Sequence, residues 1–330
     1  MNHSPHQLRK DPVTGRWVII NQESPQTQFP VSPNTKSSKV CPFCPGQEAM
    51  TPPAIMSYPK KGAKDGSWQV RVVPNKFPAL NIEGSNEKIS SGVYDKIGGF
   101  GAHELIIETP DHYMELADMP AEDVRLVLRA YRDRYLDLRK DPRIKYILIF
   151  KNYGAAAGAS LEHPHSQLIG LPIVPSRVLG ELAGAAKHIE FSESCIFCDM
   201  LKQEEHEKKL TVHSENGYLG ITPFASRLPF ETWILPQEHQ ASFDLISDAG
   251  LDALAHVLKI VLAKLKNALN DPPFNFMIHT QAPGAKDPQS FHWHIEIIPH
   301  LTHLAGFELG TGFYVNPTPP EMAAEILRAG

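Results

Sequence analysis

The 330-residue sequence holds no apolar run approaching the roughly 18 residues that a membrane-spanning helix needs. It also lacks an excess of positive charge: 32 Lys and Arg stand against 37 Asp and Glu, a formal charge of −5. With no basic stripe, nucleic acid is not an expected partner. The opening Met1-Asn2-His3-Ser4-Pro5-His6 has no apolar core of the kind a secretory signal carries. These absences leave a cytoplasmic enzyme or binding protein as the expectation, with no membrane association. The 42% of apolar residues is ample for a core, and the length suits two domains or one large duplicated one.

Cysteine is scarce, and its four residues fall into two pairs, Cys41-Pro-Phe-Cys44 and Cys195-Ile-Phe-Cys198. In a reducing compartment paired C-x-x-C motifs read as zinc ligands before disulfides. A thioredoxin-like redox pair would call for a strand-to-helix context, whereas Cys41 follows Pro- and Ser-rich loop sequence and is flanked by Pro42 and Pro45. Plain buried thiols are the remaining alternative.

The stretch that organises the chain is Gly158-Ala-Ser160-Leu-Glu-His163-Pro-His165-Ser-Gln167. On an extended strand His163, His165 and Gln167 would share one side. The small residues before them allow backbone N–H groups to approach an anion, and an imidazole can attack phosphorus or bind a metal. Periodicity predicts an amphipathic helix over 120–139 and another over 248–269, each followed by a β-forming run and then a His-x-His. Residues 22–40 read as loop. The spacing repeats: His112 to His163 is 51 residues and His239 to His292 is 53, and Glu104 and Glu231 each precede a turn histidine by eight. Two copies of one α/β unit are therefore expected, each with a C-x-x-C pair, a turn histidine and a strand histidine.

That repeat proposes Cys41, Cys44, His112 and His163 for one tetrahedral zinc site and Cys195, Cys198, His239 and His292 for a second. With His163 on a metal, His165 is left free to act as the nucleophile that takes a nucleotidyl group from a nucleoside diphosphate sugar. Gln167 cannot serve as a general acid but can hydrogen-bond phosphate oxygens, which favours transfer between phosphates. His294, the second-copy counterpart of His165, lacks the preceding run of small residues and is expected to have structural or substrate-contact duty.

His163-Pro-His165-Ser-Gln167, Asp11-Pro-Val-Thr-Gly-Arg-Trp-Val, Pro74-Asn-Lys-Phe-Pro and Pro229-Phe-Glu-Thr together resemble the galactose-1-phosphate uridylyltransferase family, the transferase branch of the histidine-triad superfamily. The resemblance implies a duplicated α+β histidine-triad-like fold of mainly antiparallel sheets with packed helices, divided as 1–180 and 181–330. It also implies a homodimer and ping-pong exchange of UMP between UDP-glucose and galactose 1-phosphate through a uridylyl-histidine. In it His165 is the nucleophile, Gln167 its phosphate-stabilising partner, and Asn75, Phe77, Asn152, Gly158 and Ser160 contact the nucleotide. Some members hold iron through a glutamate and three histidines, for which Glu181, His279, His292 and His294 are the aligned candidates. The second C-x-x-C and the tail Gly306–Asn316 instead resemble the branch that includes plant ADP-glucose phosphorylases. Phosphorolysis of ADP-glucose is thus the alternative activity, and a non-catalytic zinc-stabilised nucleotide binder the alternative of another class.

Overall fold

The structure, a computed structural model, describes residues 6–22, 25–29, 40–285, 287, 289 and 291–330. Most of the loop expected at 22–40, residues 23, 24 and 30–39, lies outside the described residues. The first half runs β1 (His6–Lys10), β2 (Trp17–Asn21), β3 (Met56–Pro59), β4 (Trp68–Pro74), β5 (Lys88–Ser91), β6 (Tyr94–Ile97), β7 (Ala102–Ile107), α1 (Ala121–Leu138), β8 (Tyr146–Tyr153) and β9 (His165–Leu171). After α2 (Ser176–Ser192) and α3 (Ile196–Glu207) come β10 (Thr211–Glu215), β11 (Tyr218–Ile221), β12 (Thr232–Pro236), α4 (Asp248–Leu269), β13 (Phe274–His279) and β14 (His294–Pro299). The chain finishes with α5 (Gly306–Thr311), β15 (Tyr314–Asn316) and α6 (Pro320–Ala329).

Ten strands form one antiparallel sheet in the order β10-β11-β12-β14-β13-β8-β9-β7-β4-β3. The halves do not carry separate sheets, as the repeat suggested; they fuse because β8 and β13 pair edge to edge. Ile149 lies opposite Ile278 in that pairing, and Ile149 precedes His163 by the same number of residues as Ile278 precedes His292. The strand order reads outward identically from this seam. The expected boundary at 180 falls inside α2.

One face of the sheet is covered by α1 and α4. Their buried stripes, Val124, Val127, Leu128, Tyr131 and Tyr135 on one and Leu251, Leu254, Leu258, Val261 and Leu265 on the other, join Val70, Ile106, Ile147, Ile234 and Ile295 in the main core. Each such leucine contributes roughly 1.5–3 kcal/mol over an exposed one. Pro120 opens α1 where its missing N–H costs nothing, and the Ser247 side chain accepts the Gly250 N–H at the start of α4.

The opposite face is divided. Over the second half lie α2 and α3, enclosing Ala185, Ile196, Phe197, Leu201, Trp233, Leu235 and Phe291. Over the first half the Cys41–Cys44 turn reaches the sheet, with Phe43 packed among Trp68, Val73, Leu105 and Ile107 and Leu161 against them. A second sheet joins β1, β2 and β15, and a small hairpin pairs β5 with β6.

Candidate active site and metal centres

The strand histidines sit differently from the simple alternation. β9 begins at His165 and β14 at His294, so His163 and His292 lie just before their strands. In the first half the reason is Pro164, which has no N–H for the ladder and instead offers its carbonyl to the Glu108 N–H. His163 therefore turns away toward the cysteines while His165 and Gln167 stay on the open face of the sheet.

Cys41, Cys44, His112 and His163 place one donor atom each within 4.8 Å of one another, and Cys195, Cys198, His239 and His292 do the same. Cys44 Sγ is 3.2 Å from His112 Nδ1 and 3.6 Å from His163 Nδ1. Cys198 Sγ is 3.4 and 3.6 Å from Nδ1 of His239 and His292. A tetrahedron of zinc–sulfur and zinc–nitrogen bonds has edges of about 3.5 Å, so both sets fit such an ion. The far nitrogens are also held: His163 Nε2 donates to the Thr109 carbonyl at 2.8 Å and His292 Nε2 to that of Pro236 at 2.9 Å. That leaves Nδ1 as the lone-pair donor in each. Burial pushes His163 down to about 4, keeping it in the neutral form a metal requires. Cys195 caps the start of α3, the helix context a redox pair would use, but its partner sulfur meets two histidines.

The four residues aligned with an iron site are divided. His292 faces Cys198, while Glu181, His279 and His294 cluster separately. His279 Nδ1 bonds Glu181 at 2.8 Å and its Nε2 lies 3.3 Å from Glu296, which is also tied to Arg227 and Arg177 at 2.7 Å each. Burial alone would lower His279, but Glu296 and Glu181 outweigh it and raise it to about 9. With His292 placed among the second cysteine cluster, the four aligned residues do not form one ligand set.

His165 is 5% exposed, and its Nδ1 donates to the His163 carbonyl at 2.8 Å. The proton is thus fixed on Nδ1 and the Nε2 lone pair is free, while burial lowers its affinity for a second proton. It lines a cleft of about 850 Å³ together with Asn152, Ser160, Glu162, Lys151 and Glu115. Gly158 closes the short turn Ala155–Ala157 at φ +86°, a conformation that favours glycine. Behind β9, Ser166 bonds Tyr131 at 2.5 Å and also Glu108, and Glu108 binds the buried Lys151 at 2.7 Å.

Gln167 lies one alternation further along β9. Its Oε1 meets His103 Nε2 at 2.9 Å. The Ala79 N–H donates to His103 Nδ1 at 3.1 Å, so the ring's hydrogen sits on Nε2 and points at Gln167. Asn75 lies on the same ring, its Nδ2 3.1 Å from Nε2, and its Oδ1 accepts the Phe77 N–H. Phe77 itself is 82% exposed. His103 was not among the expected site residues. The signal for it is alternation: His103, Leu105 and Ile107 share the face of β7 that borders Gln167 and His165.

A duplicated antiparallel sheet, with a His-x-His-x-Gln strand opening on a cleft beside a glycine-turned loop, defines a histidine-triad-type nucleotidyltransferase. Residues 2–175 match the family described as galactose-1-phosphate uridyl transferase, N-terminal domain, and residues 99–329 match a domain of unknown function, DUF4921. The chain belongs to the galactose-1-phosphate uridylyltransferase family. It is 38% identical to the ADP-glucose phosphorylase of Arabidopsis thaliana over 99% of this chain and 93% of that one. It is 32% identical to the galactose-1-phosphate uridylyltransferase of Thermotoga maritima over 98% of each. Among solved structures, the Arabidopsis thaliana ADP-glucose phosphorylase with bound ADP-glucose superposes with a TM-score of 0.85 at 35% identity, covering 99% of both chains.

Proposed function

We propose that this protein moves a nucleotidyl group between a nucleoside diphosphate hexose and a phosphate acceptor through His165. The observation that carries the reading is the His165 ring, proton held on Nδ1 by the His163 carbonyl and Nε2 free beside the cleft. Nε2 attacks the α-phosphorus of the donor, and the bond to the bridging oxygen breaks to release hexose 1-phosphate. The acceptor's phosphate oxygen then attacks the same phosphorus and frees the histidine. The leaving group is already a phosphate, so no general acid is required, and Gln167 stabilises phosphate oxygens from its NH2 side. Asn75, Phe77, Asn152, Gly158 and Ser160 are the nucleotide contacts in this reading. Residues 1–180 form the catalytic half and 181–330 its partner in a homodimer-forming chain. Zinc at each Cys2His2 cluster would fix the turns and, through His163, the carbonyl that orients His165.

UDP-glucose with galactose 1-phosphate is the pair that the sequence motifs favour. ADP-glucose with inorganic phosphate is the second reading, supported by the 38% identity to the plant phosphorylase and by the second C-x-x-C. Initial rates over a grid of UDP- and ADP-glucose against galactose 1-phosphate and phosphate choose between them. Parallel double-reciprocal lines and a stoichiometric, acid-labile nucleotidyl label on His165 are expected. Intersecting lines, or a label retained in His165→Ala, would overturn the covalent route.

A further inference from the structure

Asn152 lines the cleft with His165, yet the group that aims it comes from the other half of the chain. Asn152 on β8 lies directly opposite Asn275 on β13, at the seam where the two halves pair. Asn275 Nδ2 donates to the Ala157 carbonyl at 2.9 Å, and a backbone carbonyl can only accept, so that side of the Asn275 amide is the NH2. The same Nδ2 donates to Asn152 Oδ1 at 2.7 Å. On its other side Asn275 Oδ1 accepts from His300 Nε2 at 2.5 Å. His300 is itself anchored through its backbone N–H to the Pro273 carbonyl at 2.7 Å.

The polarity of this chain of bonds allows one orientation of Asn152. Its carbonyl is taken by Asn275, so its NH2 is the free end. That nitrogen lies 3.7 Å from where a side chain at Gly158 would begin, on the side of the small-residue loop. We propose that Asn275, braced by His300, is a positioning residue that holds Asn152 with its NH2 presented to a phosphate oxygen of the nucleotide. The inference rests on the nucleotidyl-transfer reading above and extends it: the second copy, whose own His294 is buried, sets the anion-reading polarity of the first.

Calorimetric titration with ADP and with UDP tests this without turnover. Asn275→Ala is expected to weaken the better of the two by about tenfold, the scale of one oriented hydrogen bond. In an Asn152→Ala background the same change should cost almost nothing, because it acts only through Asn152. His300→Leu should weaken binding by about threefold and His300→Gln, which can still donate to Asn275, should restore it. In turnover the loss should appear in KM for the nucleotide sugar with kcat held. Additive costs in the double variant, or unchanged affinity in Asn275→Ala, would overturn the proposal. Should the Asn275 variants fail to fold, identical affinities for His300→Leu and His300→Gln would do so. Wild-type protein that binds neither ADP nor UDP would instead overturn the functional reading beneath it.

Discussion

The two halves carry the same histidine on the same strand, and only one of them faces a cleft. His165 meets the edge of Phe43, with ring centroids 5.3 Å apart, and lines the cleft. His294 is stacked between Trp233 at 4.9 Å and His279 at 5.0 Å, with Phe197 at 5.1 Å, beneath α2 and α3. Trp233 lies opposite Glu296 where Leu105 lies opposite Gln167. Glu296 itself replaces the glutamine with a charge that Arg227 and Arg177 hold in place. Both copies keep a Cys2His2 cluster and a carbonyl-fixed histidine tautomer. A nucleophile therefore needs more than its own residue: the neighbouring aromatic and the covering helices decide whether a phosphate can reach it.

The largest test of this contrast is the pair His165→Ala and His294→Ala. The first should reduce nucleotidyl transfer by about 10⁴-fold or more, as loss of a covalent nucleophile does. The second should keep transfer within about threefold while lowering the unfolding midpoint. Activity that survives the first change and not the second would invert the comparison.

Next in size are the two cysteine clusters. Cys41→Ser and Cys195→Ser should each remove about one zinc by elemental analysis and lower the melting temperature, since three ligands do not close the tetrahedron. Only Cys41→Ser should also lower kcat beyond what the stability loss explains, because His163 carries the carbonyl that orients His165. Equal kcat losses would show that the halves are coupled more tightly than the geometry indicates.

His279 provides a pH signature confined to the closed half. Its folded value of about 9 lies above the ordinary histidine value of 6.5. The stabilisation by Glu296 and Glu181 is then complete below pH 6.5 and is lost as pH rises through 9. It amounts to about 3 kcal/mol over that window. Denaturant titrations of His279→Phe should be less stable than wild type at pH 6 and should lack this decline between pH 6.5 and 9. An unchanged slope would remove the imidazolium from the account. The smallest expected effect belongs to the open half: His103→Leu should lower kcat/KM about tenfold, with His103→Gln partly rescuing it and unfolding free energy nearly constant. A loss of stability with unchanged kcat/KM would make His103 structural only.

Much of this was legible in residue spacing. The helices observed at Ala121–Leu138 and Asp248–Leu269 follow their apolar stripes closely, and the matched distances between histidines anticipate both metal-capable clusters. Helix Ser176–Ser192 was not anticipated, for a physical reason. Its buried positions are Val178, Glu181 and Ala185 rather than a wide apolar stripe, and a side chain on Gly184 would strike the Val13 carbonyl. A close backbone approach and a narrow apolar contact through Leu182 and Ala185, rather than a wide stripe, set where that helix packs. The ion networks were equally hidden, because Lys151 finds Glu108 and Arg227 finds Glu296 across long stretches of chain. No local pattern announces a partner that only the folded sheet supplies.

The parallel pairing of β15 with β2 has a consequence for how the molecule is assembled. Val18, Ile19 and Ile20 find Tyr314, Val315 and Asn316 in register, and Arg9 reaches Glu321 at 2.8 Å. During synthesis β2 can pair with β1 at once, but its second neighbour arrives only after most of the chain, and closing so long a loop is slow. Duplication has not left two interchangeable modules. The last strand of the second copy completes the first strands of the other, so the chain is stitched into a ring, and fraying at either end loosens both.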